Sequence, residues 1–313
     1  MTLAACLPAA AQADPANNPA VGLEQDYDPA PAMWRLSDDD TTIYLLGTVH
    51  LLPDGFRWRN PQLDTIIDEV DALVLESSDA DADASMEQLG PKMAKLSSER
   101  RPTSLQLSPA VRERWRQVVE LTGQPFEIVD NTPLIVALMG FGLGGHDVGL
   151  SSYEHGVETV LAAQFEDSGR PILSIEDTGR VMMSIYLIDD ALILPDLERD
   201  LYTWDGTMGT EFFADEDAAP DDSAWQMEHD WARGEVQDDI DFGMGDTKLA
   251  VVFKRVLLSN RNRRWAQWLD NRLDSPGSIL VAVGAGHFEG AGSLLDMLEA
   301  RGLEAVRINQ PAQ

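Results

Sequence analysis

The chain has one cysteine, Cys6, and it lies in the first few residues. The body of the protein therefore holds neither a disulfide framework nor a thiolate zinc site, and any metal must be held by His, Asp or Glu. Basic residues are also scarce: 23 Lys and Arg stand against 54 Asp and Glu, a formal net charge of -31. A surface of that sign repels phosphate backbones and anionic headgroups, which argues against nucleic acid and lipid headgroups as partners. No stretch is long and apolar enough to predict a transmembrane span. The chain does have 313 residues, 44% of them hydrophobic, enough to bury a sizeable core.

Residues 1–13 read as the remnant of a signal-peptide-like leader, small and apolar, with Ala11-Gln12-Ala13 in the form of a cleavage site. This start predicts export, with the periplasm as the expected location. Residues 14–32, rich in Pro, Ala and Asn, read as a flexible linker, and 33–313 as one domain. Within it, two apolar runs flanking Ser37-Asp38-Asp39-Asp40 predict a hairpin, the second run ending in Gly47-Thr48-Val49-His50. A helix over 61–70 leads to a strand over 72–75 that stops at Glu76. Residues 85–165 read as mostly helical, broken by the glycines at 140, 142, 144 and 145. A strand over 171–175 stops at Glu176, and a helix is expected over 178–192. An acidic loop covers 205–223, and helices run on to about 273. Finally, a strand over 278–283 leads into Gly284-Ala285-Gly286-His287, followed by a helix over 291–301 and a strand over 305–308. The expected fold is α/β, a largely parallel central sheet built from N- and C-terminal strand-helix units with a mostly helical insertion.

Four apolar strands thus end in His50, Glu76, Glu176 and His287. Ligands of open parallel sheets bind beyond the carboxyl ends of the strands, so parallel strands bring these four side chains to one edge. With 24 glycines and five histidines, chance gives roughly 0.4 Gly-x-x-His units per chain; two, each directly after a strand, exceed it. Gly47 and Gly284 are expected to permit a sharp exit from the sheet. Glu76 is expected nearer His50 than Glu176 is, because strands joined by one helix usually lie side by side. Two imidazoles with carboxylates suit a divalent transition metal with open positions, such as Mn, Co or Zn. A carboxylate off the metal could then serve as general base, with Glu76 and Glu176 both open for either role. Arg261 is the expected cation of the site, able to orient a carboxylate or hold an anionic substrate end. Asn262 could donate to a substrate carbonyl, and Trp265 reads as core. His146, His155 and His229 end no strand at this edge and read as non-catalytic.

The segments 44–50, 73–76, Gly156-Val157-Glu158, Arg261-Asn262 with Trp265, and 281–287 resemble the TraB/GumN family in order and spacing, over nearly all of 33–308. The related Tiki proteins are metal-dependent proteases defined by two Gly-x-x-His motifs and intervening glutamates. Erythromycin esterase-like and ChaN-like haem-binding proteins are more distant relatives of similar fold. The resemblance implies His50 and His287 as paired metal-site histidines, with Glu76 the matching glutamate. Glu158 departs from the family pattern, which more often has Asp there. The expected function is a metal-dependent hydrolase of a peptide or small acyl substrate. The alternative is a non-catalytic extracytoplasmic binding protein for a peptide signal or haem.

Overall fold

A computed structural model of the chain describes residues 23–140, 151–206, 225–240 and 247–309. The leader, the glycines at 142, 144 and 145 with His146, and nearly all of the expected acidic loop lie outside them. One six-stranded sheet organises the molecule. Its strands are β1 (Met33–Ser37), β2 (Thr41–Thr48), β4 (Ala72–Leu75), β6 (Ile172–Ser174), β7 (Gly277–Gly284) and β8 (Val306–Arg307), and a separate two-stranded ladder joins β3 (Leu52–Pro53) to β5 (Ser151–Ser152). The order across the large sheet is β6-β4-β7-β2-β1-β8. β2, β7, β4 and β6 run parallel, while β1 pairs antiparallel with both β2 and β8. The fold is the expected one, except that β7 lies between β2 and β4. The rule that strands joined by one helix are neighbours fails here, because the C-terminal strand takes the central position.

That insertion sets the site. β2 and β7 pair in a register that puts Gly47 opposite Val283 and Thr48 opposite Gly284. The two Gly-x-x-His units therefore leave the sheet side by side. Leu75 lies opposite Ala282 on one side and Ser174 on the other, so Glu76 and Glu176 emerge at the same edge.

Both faces are covered along the central strands, which explains the buried apolar runs of β2, β4 and β7, whereas Leu173 of the edge strand β6 is exposed. On one face Leu46, Leu73, Leu75, Leu280 and Ala282 pack with Leu63, Ile66 and Ile67 of α1 (Pro61–Glu69) and with α7 (Val157–Asp167). α1 starts where Asn60 accepts from the Leu63 N–H and Pro61 presets the first turn. On the other face Leu45, Val74, Ile279 and Val281 meet Trp265, Ala266 and Leu269 of α12 (Asn260–Arg272) and Leu294 and Leu298 of α13 (Leu294–Glu299). The insertion carries its own core, formed by α4 (Arg112–Leu121), α5 (Phe126–Asn131), α6 (Leu134–Gly140), α9 (Leu194–Thr203) and α11 (Lys248–Lys254). α3 (Thr103–Gln106) adds a turn beside it. α2 (Asp79–Glu99) and α8 (Thr178–Tyr186) lie against each other, and α10 (Gln226–Arg233) ends at Gly234, which takes the left-handed conformation at φ 82°. α8 is shorter than the expected 178–192, because the Asp189 side chain caps a separate short turn at Asp190–Leu192. Within the expected linker, Tyr27 is buried and its hydroxyl bonds His229 Nδ1 at 2.7 Å, tying residues 23–32 to the body.

Candidate functional site

The glycines of the two histidine units make room for neighbouring groups. Neither has a positive φ. A Cβ on Gly47 would stand 3.1 Å from Ala285 Cα, and one on Gly284 would stand 3.2 Å from Glu76 Oε1. The Gly284 position is the centre of the arrangement: the same Cβ would lie 3.8 Å from His50 Nε2 and 3.8 Å from His287 Cδ2. Both imidazoles and Glu76 thus approach the Gly284 position, beyond the carboxyl ends of β2, β7 and β4.

Each imidazole is held through Nδ1. His50 Nδ1 is 2.8 Å from Glu158 Oε1, and Thr48 Oγ1 donates to the same carboxylate oxygen. Glu158 reaches them because α7 begins against the backbone of the first unit. The Val157 N–H bonds Val49 O at 3.1 Å, and a Cβ on Gly156 would fall 2.0 Å from His50 O. Only glycine fits there. His287 Nδ1 donates to Asn262 Oδ1 at 2.5 Å. The Asn262 amide is oriented by its Nδ2, which donates to Gly292 O at 2.9 Å and His287 O at 3.4 Å. An amide oxygen only accepts, so the His287 proton sits on Nδ1 and the lone pair on Nε2, 3.7 Å from Glu76 Oε1. Asn262, expected to meet a substrate carbonyl, is occupied in fixing this ring.

The carboxylates are gathered by Arg261. Its Nε and Nη2 donate to the two oxygens of Glu176 at 2.9 and 2.6 Å, and Nη2 also reaches Glu76 Oε2. Its Nη1 donates to Leu257 O at 3.0 Å, in a π-helical turn at Arg255–Ser259 just ahead of α12. Such turns shift the helix face by one residue and recur at functional sites. Trp265 Nε1 donates to Glu176 Oε2 at 3.0 Å while its ring packs on His287, centroids 4.1 Å apart. Trp265 is core, as expected, and is also a wall of the site. Glu76 Oε1 accepts the Gly284 N–H at 2.9 Å.

These contacts fix the charges. Burial alone would raise the Glu76 pKa, but the Arg261 guanidinium, with the two imidazoles and the Gly284 N–H, outweighs it and holds the carboxyl at about 2. Burial pushes the Glu176 carboxyl up against the opposing pull of Arg261. His50 is raised by its hydrogen bond to Glu158, against a smaller burial effect, whereas burial depresses His287 to about 3, with Glu76 opposing and Arg261 and His50 adding to the fall.

All seven predicted site residues (His50, Glu76, Glu158, Glu176, Arg261, Asn262 and His287) stand at this one edge. His155 instead neighbours Asp54 at 3.7 Å, and His229 is buried against Tyr27. Thr48 and Gly156 were not singled out beforehand, although each lies inside a quoted motif. The donor set is of a kind that could hold a divalent ion. Two imidazoles are pinned at Nδ1 by oxygens with Nε2 left over, and an ionised carboxylate stands beside them. Among the described residues, no three His, Cys, Asp or Glu side chains already close around a single point as a metal cage.

The fold and this edge define an α/β protein with a histidine–carboxylate site at the strand ends. The chain belongs to the TraB/PrgY/gumN family, whose sequence model matches residues 32–307. No curated protein and no solved structure gives a match. No helix among the described residues is long and apolar enough to cross a membrane.

Proposed function

We propose that the protein is a metal-dependent hydrolase of peptide or small acyl bonds, with His50, His287 and Glu76 as the ligands of a Mn, Co or Zn ion. The observation that carries this reading is the pair of imidazoles pinned by Glu158 and Asn262, set around Gly284 together with Glu76 Oε1. Such an ion, when bound, polarises a carbonyl and lowers the pKa of water toward neutrality. Glu158 and Asn262 keep the Nδ1 protons in place, so each Nε2 presents its lone pair. Glu76 suits a ligand better than a base, because a carboxyl that ionises at about 2 attracts protons weakly near neutral pH. Glu176 has both oxygens engaged by Arg261 and Trp265, which supports a positioning role: it aims Arg261, and Arg261 steadies Glu76.

The test is metal analysis of the purified protein together with hydrolysis of a mixed peptide library in added manganese, cobalt or zinc. His50→Ala, at a side chain 56% exposed, is expected to remove metal and turnover while leaving the fold intact. Chelation is expected to do the same reversibly. Turnover that survives both treatments would overturn the metal reading, and stoichiometric haem binding without hydrolysis would replace it with the binding protein.

A further inference from the structure

β4 and β6 each hand the chain to a helix at the site edge, and those helices lie together. Ser77 and Thr178 hydrogen-bond through their hydroxyls, one residue after Glu76 and two after Glu176. Gly179 lets α2 approach closely there, since a Cβ would stand 3.2 Å from Leu89. Beside that contact lies a groove of about 360 Å³, lined among others by Ser85, Gln88 and Lys92 of α2, by Asp177, and by Gly179 and Arg180 of α8. The size is that of a site for a small ligand or a few peptide residues.

Its charge is unusual for this chain. Lys92 and Arg180 face one groove in a protein with 54 acidic and 23 basic residues, and neither has an ion-pair partner among the described residues. Asp177 is the one acid among the lining residues, and its Oδ1 caps α8 by accepting the Arg180 N–H at 3.0 Å. The groove starts next to the site, since Asp177 and Gly179, which line it, follow Glu176 closely in the chain.

We infer that the groove between α2 and α8 is a substrate subsite that binds an acidic peptide segment through Lys92 and Arg180, leading a chain bearing Asp or Glu side chains to the histidine edge. This rests on the hydrolase reading for what happens at that edge, though not for the binding itself. A short acidic segment feels the charges within about 8–10 Å, so a local cationic groove selects it even though the whole surface repels long polyanions. Ser85 and Gln88 supply hydrogen-bonding groups beside the charges.

The experiment is calorimetric titration of the full chain with acetyl-Glu-Glu-Glu-amide and with acetyl-Gln-Gln-Gln-amide, at low and at high salt. The glutamate peptide is expected to bind about tenfold more tightly at low salt, an advantage that shrinks as salt rises. Lys92→Gln/Arg180→Gln, two exposed positions, is expected to abolish the preference. Arg199→Gln on α9, which lines no part of the groove, is the control for a change in net charge. Equal binding of the two peptides, or a preference that persists in the double variant, would overturn the subsite. An intact preference with no turnover of any peptide counts against the hydrolase reading alone.

Discussion

His50 and His287 end the same four-residue motif at neighbouring strand ends, yet they live in opposite surroundings. The His50 side chain is 56% exposed and bonds a carboxylate; that of His287 is 4% exposed and bonds an amide. The hydrogen bond to Glu158 raises the first imidazole, and burial holds the second at about 3. A shared motif therefore fixes where an imidazole leaves the sheet, but not its charge. The difference comes from the hydrogen bond to Glu158 of α7 for one and from burial, partly under Trp265 of α12, for the other. A neutral, buried imidazole beside an exposed, readily protonated one gives the two halves different chemistry at a single edge.

Arg261→Leu is expected to disturb the comparison most, because Glu76 and Glu176 would be left buried without their cation. The loss should be about 3–5 kcal/mol of stability, read by urea unfolding. If unfolding is unchanged, the arginine is not what holds the two halves in one charge network. Gly156→Ala strikes the His50 half alone. Its backbone, at φ -61°, suits any residue, so the cost is steric: a methyl 2.0 Å from His50 O, worth about 1–3 kcal/mol. A crystal structure of that variant should show His50 displaced from Glu158 and His287 still on Asn262.

Exchanging the partners sharpens the contrast with smaller effects. Asn262→Asp gives His287 the carboxylate that His50 has, and its pKa should climb by about 1–3 units. Glu158→Gln gives His50 an amide, and its pKa should fall; both shifts are read from imidazole NMR titrations of the metal-free chain. The linked stabilities have opposite signs. His50 is raised above its ordinary 6.5, so its pairing contributes fully below 6.5 and is lost as pH rises through the folded value. His287 is protonated at 6.5 in the unfolded chain but only at about 3 in the fold, so its contribution is lost as pH falls from 6.5 toward about 3. Glu158→Gln should erase the first dependence and leave the second. Loss of both would mean that the rings titrate as one unit.

The sequence by itself determined the strands of the large sheet and the residues that end them, but not the short β3–β5 ladder. The run over 72–75 matches β4, and 278–283 falls within β7, because an apolar run bounded by polar residues has little choice once both sheet faces are covered. His50, Glu76, Glu176 and His287 were legible for the same reason: each is the first chemically active side chain past such a run. The tertiary structure alone decided that β7 lies between β2 and β4, since parallel neighbours are chosen by how crossovers pack and not by order along the chain. It also decided the partners. Nothing local to Asn262 says that its amide oxygen will meet His287 Nδ1, and nothing local to Gly156 says that it will lie against His50 O. Those contacts arise where α12 and α7 pack on opposite faces of the sheet, and they settle which imidazole bonds an amide and which bonds a carboxylate.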